Sequence, residues 1–259
     1  MKPNKFYYIL HIQYLGFRFH GWAKQPEVKT VHHMIDRTLS YVFGHDHFKT
    51  LGGSRTDAMV SAEDFVLELF VNDPLDEITF LADLNLNLPS DIRALSIEET
   101  DKTFNIIQTP KLKQYVYLFA NEEKAHPFAA PFITSIQEVM DIEKIELGAR
   151  LFQGKHEFRA YCKKPGQHTQ TLRTIDRCEL INNTFYTASF FPNPSFAVVF
   201  EGKGFLRNQI RMIVAQLFRL GKGEIDLTFI EGSLKAGFQE HLSEVAPASG
   251  LILAKVSLE

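Results

Sequence analysis

The sequence predicts an α+β protein of largely antiparallel sheet with helices packed on one face, and three patterns point to that class. Several segments alternate apolar and polar residues with a period of two, as strands with one buried face do. Others carry apolar residues at helical spacing. The two kinds mix along the chain without regular strand–helix–strand spacing, which argues against a parallel sheet wound with crossover helices.

Over residues 6–14, Tyr8, Leu10, Ile12 and Tyr14 share one side and His11 and Gln13 the other, a strand with one buried face. Gly16 and Gly21 punctuate a loop carrying Phe17, Phe19 and Trp22. Thr30 is placed to cap a helix with the stripe Val31, Met34, Ile35, Leu39 and Val42, and Gly44 to end it. The tight loop Gly53-Ser54-Arg55-Thr56-Asp57-Ala58 precedes a strand over 65–70. A helix over 75–84 follows Asn72-Asp73-Pro74, and a turn at 87–92 opens another strand, so this first part reads β-α-β-α-β. Alternation restarts over 111–119, with Tyr115 and Tyr117 on one face and Val116 and Leu118 on the other. A helix over 140–152 and strands over 171–181 and 196–201 follow, then the clearest helix, 205–220, and a loop at 246–250 into a last strand. Two α/β halves, 1–105 and 106–259, fit this order, and 259 residues suffice for two modest cores.

No apolar run is long enough to span a bilayer, and the first residues do not form a signal peptide, so the expectation is a cytoplasmic protein without membrane partners. Cys162 and Cys178 lack metal-site spacing and read as reduced thiols, and His45-Asp46-His47 lacks a third spaced ligand. The 23 phenylalanines read mainly as core. Net charge is −3, but its distribution is uneven. Between Glu63 and Asp101 the sole basic residue is Arg93. Over 155–177, Lys155, Arg159, Lys163, Lys164, Arg173 and Arg177 outnumber Glu157 and Asp176, and Lys203, Arg207, Arg211, Arg219 and Lys222 follow. That asymmetry suits either a solvated face or a local surface for phosphates.

The 53–58 loop places a carboxylate two residues after an arginine, just ahead of a strand. By itself Asp57 reads first as a turn residue bonding nearby backbone N–H groups, and only second as a reactive group on a rigid scaffold. On the 205–220 helix, Arg207 and Arg211 are four apart and lie at the edge of the stripe Leu206, Ile210, Ile213 and Leu217. A guanidinium there lays its stem along the apolar edge or meets an acceptor such as a carboxylate or a phosphate.

Seven stretches occur in the order of a known family: Gly21-Trp22-Ala23-Lys24-Gln25, Ser54-Arg55-Thr56-Asp57-Ala58, Asn87-Leu88-Pro89-Ser90-Asp91-Ile92, Lys113-Gln114-Tyr115-Val116-Tyr117, Thr171-Leu172-Arg173-Thr174-Ile175, Gly204-Phe205-Leu206 with Arg211, and Ala246-Pro247-Ala248-Ser249-Gly250-Leu251. Along nearly its whole length the chain resembles the TruA family of tRNA pseudouridine synthases. The resemblance implies two RNA-recognition-like halves around a central cleft, a homodimer, tRNA as partner, and no metal or organic cofactor. It implies isomerisation of uridine to pseudouridine in the anticodon stem-loop, at positions 38–40 of the tRNA. Asp57 matches the family's attacking aspartate, Arg211 its arginine partner, and Tyr115 the tyrosine that packs on the flipped base. Arg55 matches the arginine that fills the space left by that base. Lys163, Lys164, Arg173, Lys203 and Arg207 would contact RNA, the basic segments meeting backbone phosphates.

The chain departs from the family pattern at several places. Leu15 stands where an Asp is usual, Met59 and Ser61 where Gly and His are usual, Asn105, Ile106 and Ile107 where His and Arg are usual, and Arg207 and Asn208 where paired histidines are usual. Three readings follow: a pseudouridine synthase, a non-catalytic paralogue that binds or chaperones structured RNA, and an aspartate nucleophile for a phosphoryl or small-molecule reaction. The last lacks a glycine-rich phosphate cradle and a ligand cluster.

Overall fold

The computed structural model describes residues 6–109 and 111–258. In chain order these form β1 (Phe6–Tyr14), α1 (Val31–Phe43), β2 (Lys49–Gly52), β3 (Ser61–Val71), α2 (Glu77–Asn87) and β4 (Ile92–Thr100). Then come β5 (Lys111–Asn121), β6 (Thr134–Ile136), α3 (Ile142–Leu151), β7 (Gly154–Glu157), β8 (Leu172–Ile175), β9 (Arg177–Asn182), β10 (Phe196–Gly202), α4 (Gln209–Gly221), α5 (Leu227–Ser233) and β11 (Leu251–Leu258). The result is α+β with mainly antiparallel pairing. Two compact units divide the chain, Met1–Lys111 with Leu253–Glu259 and Leu112–Ile252.

In the N-terminal unit β1 lies between β3 and β4, antiparallel to both, and β2 and β11 also pair with β3. Tyr8, Leu10, Ile12 and Tyr14 are buried and His11 and Gln13 half-buried, as alternation requires. Thr30 caps α1 by accepting the His33 N–H at 3.3 Å, and Gly44 ends it at φ 69°, a conformation a glycine takes without Cβ strain. Phe43 stacks on Phe80 at 5.3 Å, joining α1 to α2. The helix expected over 75–84 starts at Glu77 instead, because Asp76 accepts the Thr79 N–H at 2.8 Å and is the true cap. The four-residue β2 is too short to show alternation, so the observed order is β-α-β-β-α-β where the sequence predicts one strand fewer.

In the C-terminal unit β10 lies antiparallel between β5 and β9, while β6 joins β5 by a short parallel pairing. Gly148 lets α3 approach α4: a Cβ there would stand 3.2 Å from Leu217 Cδ2 and closer still to Leu220. The strand expected over 171–181 is two strands, because the chain changes partner at Asp176, β8 pairing with β7 and β9 with β10. The helix expected over 205–220 begins at Gln209, since Asn208 sits at φ 60° and interrupts the helical backbone before it. Leu206 and Arg207 therefore lie in the preceding turn, and Arg207 does not share a helix face with Arg211. Both cysteines are buried and reduced. Among the described residues no helix is long and apolar enough to cross a membrane.

Candidate active site

The Asp57 loop is held from below by alternate residues. Ser54 and Thr56 are buried, Arg55 between them is exposed, and Asp57 is half-buried. Thr56 shares a hydrogen bond of 2.8 Å between its hydroxyl and the Tyr14 hydroxyl, so β1 fixes the loop through a buried pair. The Thr56 carbonyl accepts the Trp22 N–H at 3.1 Å, and the Met59 N–H reaches the Phe19 carbonyl at 3.0 Å. Gly21 adopts φ 88°, and a Cβ on it would lie 2.7 Å from the Thr56 oxygen, so only a glycine lets these backbones come so close. The Trp22 ring, 2% exposed, stacks on Phe65 at 3.8 Å and on His32 at 5.0 Å. The Gly21-Trp22 segment thus plugs the core, and its backbone carries the Arg55-Thr56-Asp57 turn.

Two of the departures from the family pattern fall on this loop and its supporting wall. Met59 takes φ 66°, the left-handed backbone that a glycine would adopt without strain. Ser61 accepts the Gly16 N–H at 2.9 Å within the buried wall.

The other two proposed catalytic residues belong to the C-terminal unit. Tyr115 lies on β5 opposite Phe200, 8% exposed, with its ring edge-on to Phe205 at 5.4 Å. Arg211 lies in the first turn of α4, and its Nε donates to the Ala246 carbonyl at 2.8 Å while the Ala246 N–H donates to the Arg211 carbonyl at 3.0 Å. The 246–250 loop is held in turn by Tyr117, whose hydroxyl donates to the Pro247 carbonyl at 2.8 Å and also contacts the Thr134 hydroxyl. Burial pushes the Tyr117 pKa up, opposed by the Thr134 hydrogen bond and the Arg211 charge, so this phenol stays protonated.

Most of the proposed RNA contacts gather in the same unit. The Lys163 N–H donates to the Arg207 carbonyl at 3.1 Å, setting the 163–164 loop against the turn before α4. Lys163, Lys164, Lys203 and Arg207 are exposed or half-exposed, as is Arg173. Arg173, Lys203 and Phe205 line one open hollow, with Asp176 as its acidic member. Burial raises the Cys162 thiol pKa, opposed first by a backbone hydrogen bond from Arg207 and then by the nearby charges of Arg159, Arg173 and Arg207. Arg159 therefore joins the basic cluster, although the sequence offers it only as one of several basic residues. Arg55 alone of the proposed RNA contacts lies in the N-terminal unit. The Tyr14 anchor is invisible to sequence reasoning: alternation marks Tyr14 as buried but cannot show what its hydroxyl meets.

Comparison with known proteins places these features in a family. A family model described as tRNA pseudouridine synthase matches residues 149–258. "tRNA pseudouridine synthase A" of Fervidobacterium nodosum is 31% identical over 248 residues, covering 95% of this chain and 97% of its own. "tRNA pseudouridine synthase A 2" of Bacillus cereus is 30% identical over 251 residues, with 96% and 98% covered. A Clostridium botulinum protein, "tRNA pseudouridine synthase A", is 28% identical over 247 residues, with 95% and 97% covered.

Proposed function

The chain belongs to the TruA family of tRNA pseudouridine synthases, and on that basis we propose that it isomerises uridine to pseudouridine in tRNA. The uridine is in the anticodon stem-loop, and the enzyme acts as a cytoplasmic homodimer. The observation that carries the reading is the Asp57 turn: an aspartate half-exposed on a loop whose flanking residues are pinned to the core, next to an outward arginine. A nucleophile needs that combination of accessibility and fixed aim.

The reaction breaks the bond between ribose C1′ and uracil N1, turns the base, and joins C1′ to C5. The C5 proton leaves and N1 gains one, so no redox partner is consumed. We assign the attack on the nucleoside to Asp57 and the family's arginine role to Arg211, as the matching motifs imply. Tyr115 packs on the flipped base and assists loss of the C5 proton. Flipping costs a few kcal/mol, and Arg55 offsets part of it by stacking in the vacated space. The basic cluster of Lys163, Lys164, Arg173, Lys203 and Arg207 holds backbone phosphates.

The direct test incubates purified protein with unmodified tRNA transcripts and maps pseudouridine by a chemical stop. Product in the anticodon stem-loop that disappears in Asp57→Ala is the expected result. Undiminished product in that variant removes Asp57 from the role. Tight tRNA binding by the wild type without product would favour a non-catalytic RNA-binding paralogue.

A further inference from the structure

Glu68 stands in the middle of β3, 1% exposed. A carboxylate withdrawn so far from water is costly unless its oxygens are paired. Oε2 accepts the Ile106 N–H at 3.0 Å, and Oε1 meets no hydrogen-bond partner among the described residues. Burial raises the Glu68 pKa above the ordinary carboxylate value, against the Ile106 N–H and the charges of Lys49 and Lys111. This position runs against the interest of stability alone, so what it holds matters.

It holds the strap that leaves β4. Within the strap Asp101 accepts the Thr103 N–H at 2.6 Å, and Asn105 accepts those of Ile107 and Gln108 at 2.9 and 3.2 Å. These local bonds fold the segment on itself, and the Glu68 bond ties it to the sheet. The Ile106 side chain, fully buried, is pressed onto Gly53: a Cβ at Gly53 would stand 3.0 Å from Ile106 Cγ1. Gly53 is the root of the Asp57 loop, and its N–H donates to the Val66 carbonyl at 2.9 Å.

We infer that Glu68 is a positioning residue for the Asp57 loop, latching the strap through the Ile106 N–H so that Ile106 clamps Gly53. The inference rests on the proposed role of Asp57. The carboxylate touches no reacting atom; it acts through Ile106 and Gly53 on where the nucleophile points.

The test compares wild type, Glu68→Gln, Glu68→Ala and Ile106→Ala by hydrogen exchange and by pseudouridine formation. Glu68→Gln keeps an oxygen that can accept the Ile106 N–H and should match the wild type in both readouts. Glu68→Ala and Ile106→Ala should speed amide exchange over residues 53–60 selectively. They should also lower kcat by roughly ten- to hundred-fold with little change in KM for tRNA, because misaim costs rate and not binding. Unchanged exchange at 53–60 in both variants, acceleration spread evenly over the whole unit, or a Glu68→Gln variant as impaired as Glu68→Ala would each overturn the latch. If the wild type itself forms no pseudouridine, the proposed reaction fails separately, and the exchange data alone decide for or against the latch.

Discussion

Met59 shows what one side chain does to a constrained turn. Its backbone lies at φ 66° while its side chain is 37% exposed, so it carries left-handed strain with little burial to offset it. Such a conformation costs a non-glycine residue about 1–2 kcal/mol. A glycine removes that cost but makes the unfolded chain freer, which returns about 0.4–1 kcal/mol. Met59→Gly should therefore raise unfolding stability by a few tenths to about 1 kcal/mol in a denaturant melt. A loss of stability would mean that the Met59 side chain contributes packing that its exposure conceals. The residues around it divide by direction: Arg55 points out, Thr56 points in to the Tyr14 hydroxyl, and Asp57 lies between, half-buried. The sequence names all three, but their directions come from contacts with Tyr14, Trp22 and Phe19, far away in the chain.

Among the elements, β1 and β3 carry a titratable link besides their backbone ladder. His11 Nδ1 lies 2.5 Å from Asp64, both side chains being 24% exposed. The hydrogen bond to Asp64 raises the His11 pKa above 6.5, with Asp64 and Glu98 charges adding to it and burial opposing. A histidine with a raised folded pKa contributes its full stabilisation below its unfolded value, and the contribution fades as pH climbs through the folded one. Unfolding stability should thus fall as pH rises from about 6 through neutrality, and Asp64→Asn should flatten that fall. An unchanged slope in the variant would place the pH dependence elsewhere. Element boundaries follow equally local causes. Asp76 moves the start of α2, and Asn208 delays α4 until Gln209, which separates Arg207 from the helix that carries Arg211. Apolar periodicity marks where a helix runs, but one capping or left-handed residue sets where it stops.

For the whole molecule the acidic balance of −3 conceals a basic cluster in the C-terminal unit. If that cluster holds phosphates, the logarithm of tRNA affinity falls linearly with the logarithm of salt. Charge removal at Lys163 or Arg207 should weaken binding and reduce the slope by about one for each phosphate no longer neutralised. A flat salt response would remove phosphate binding from that surface. The sequence by itself determined the α+β class, the long strands and helices, and the motif order that places the chain among tRNA pseudouridine synthases. These rest on periodicity and on residues adjacent in the chain, which any linear reading can follow. Tertiary structure alone decided that Tyr14 anchors Thr56, that Trp22 and Gly21 carry the Asp57 turn, and that Arg159 joins Arg173 and Arg207. It alone set a buried Glu68 beneath Ile106. Each of these contacts links residues separated in sequence, and folding energy comes from burial and hydrogen bonding in space, where sequence distance has no bearing.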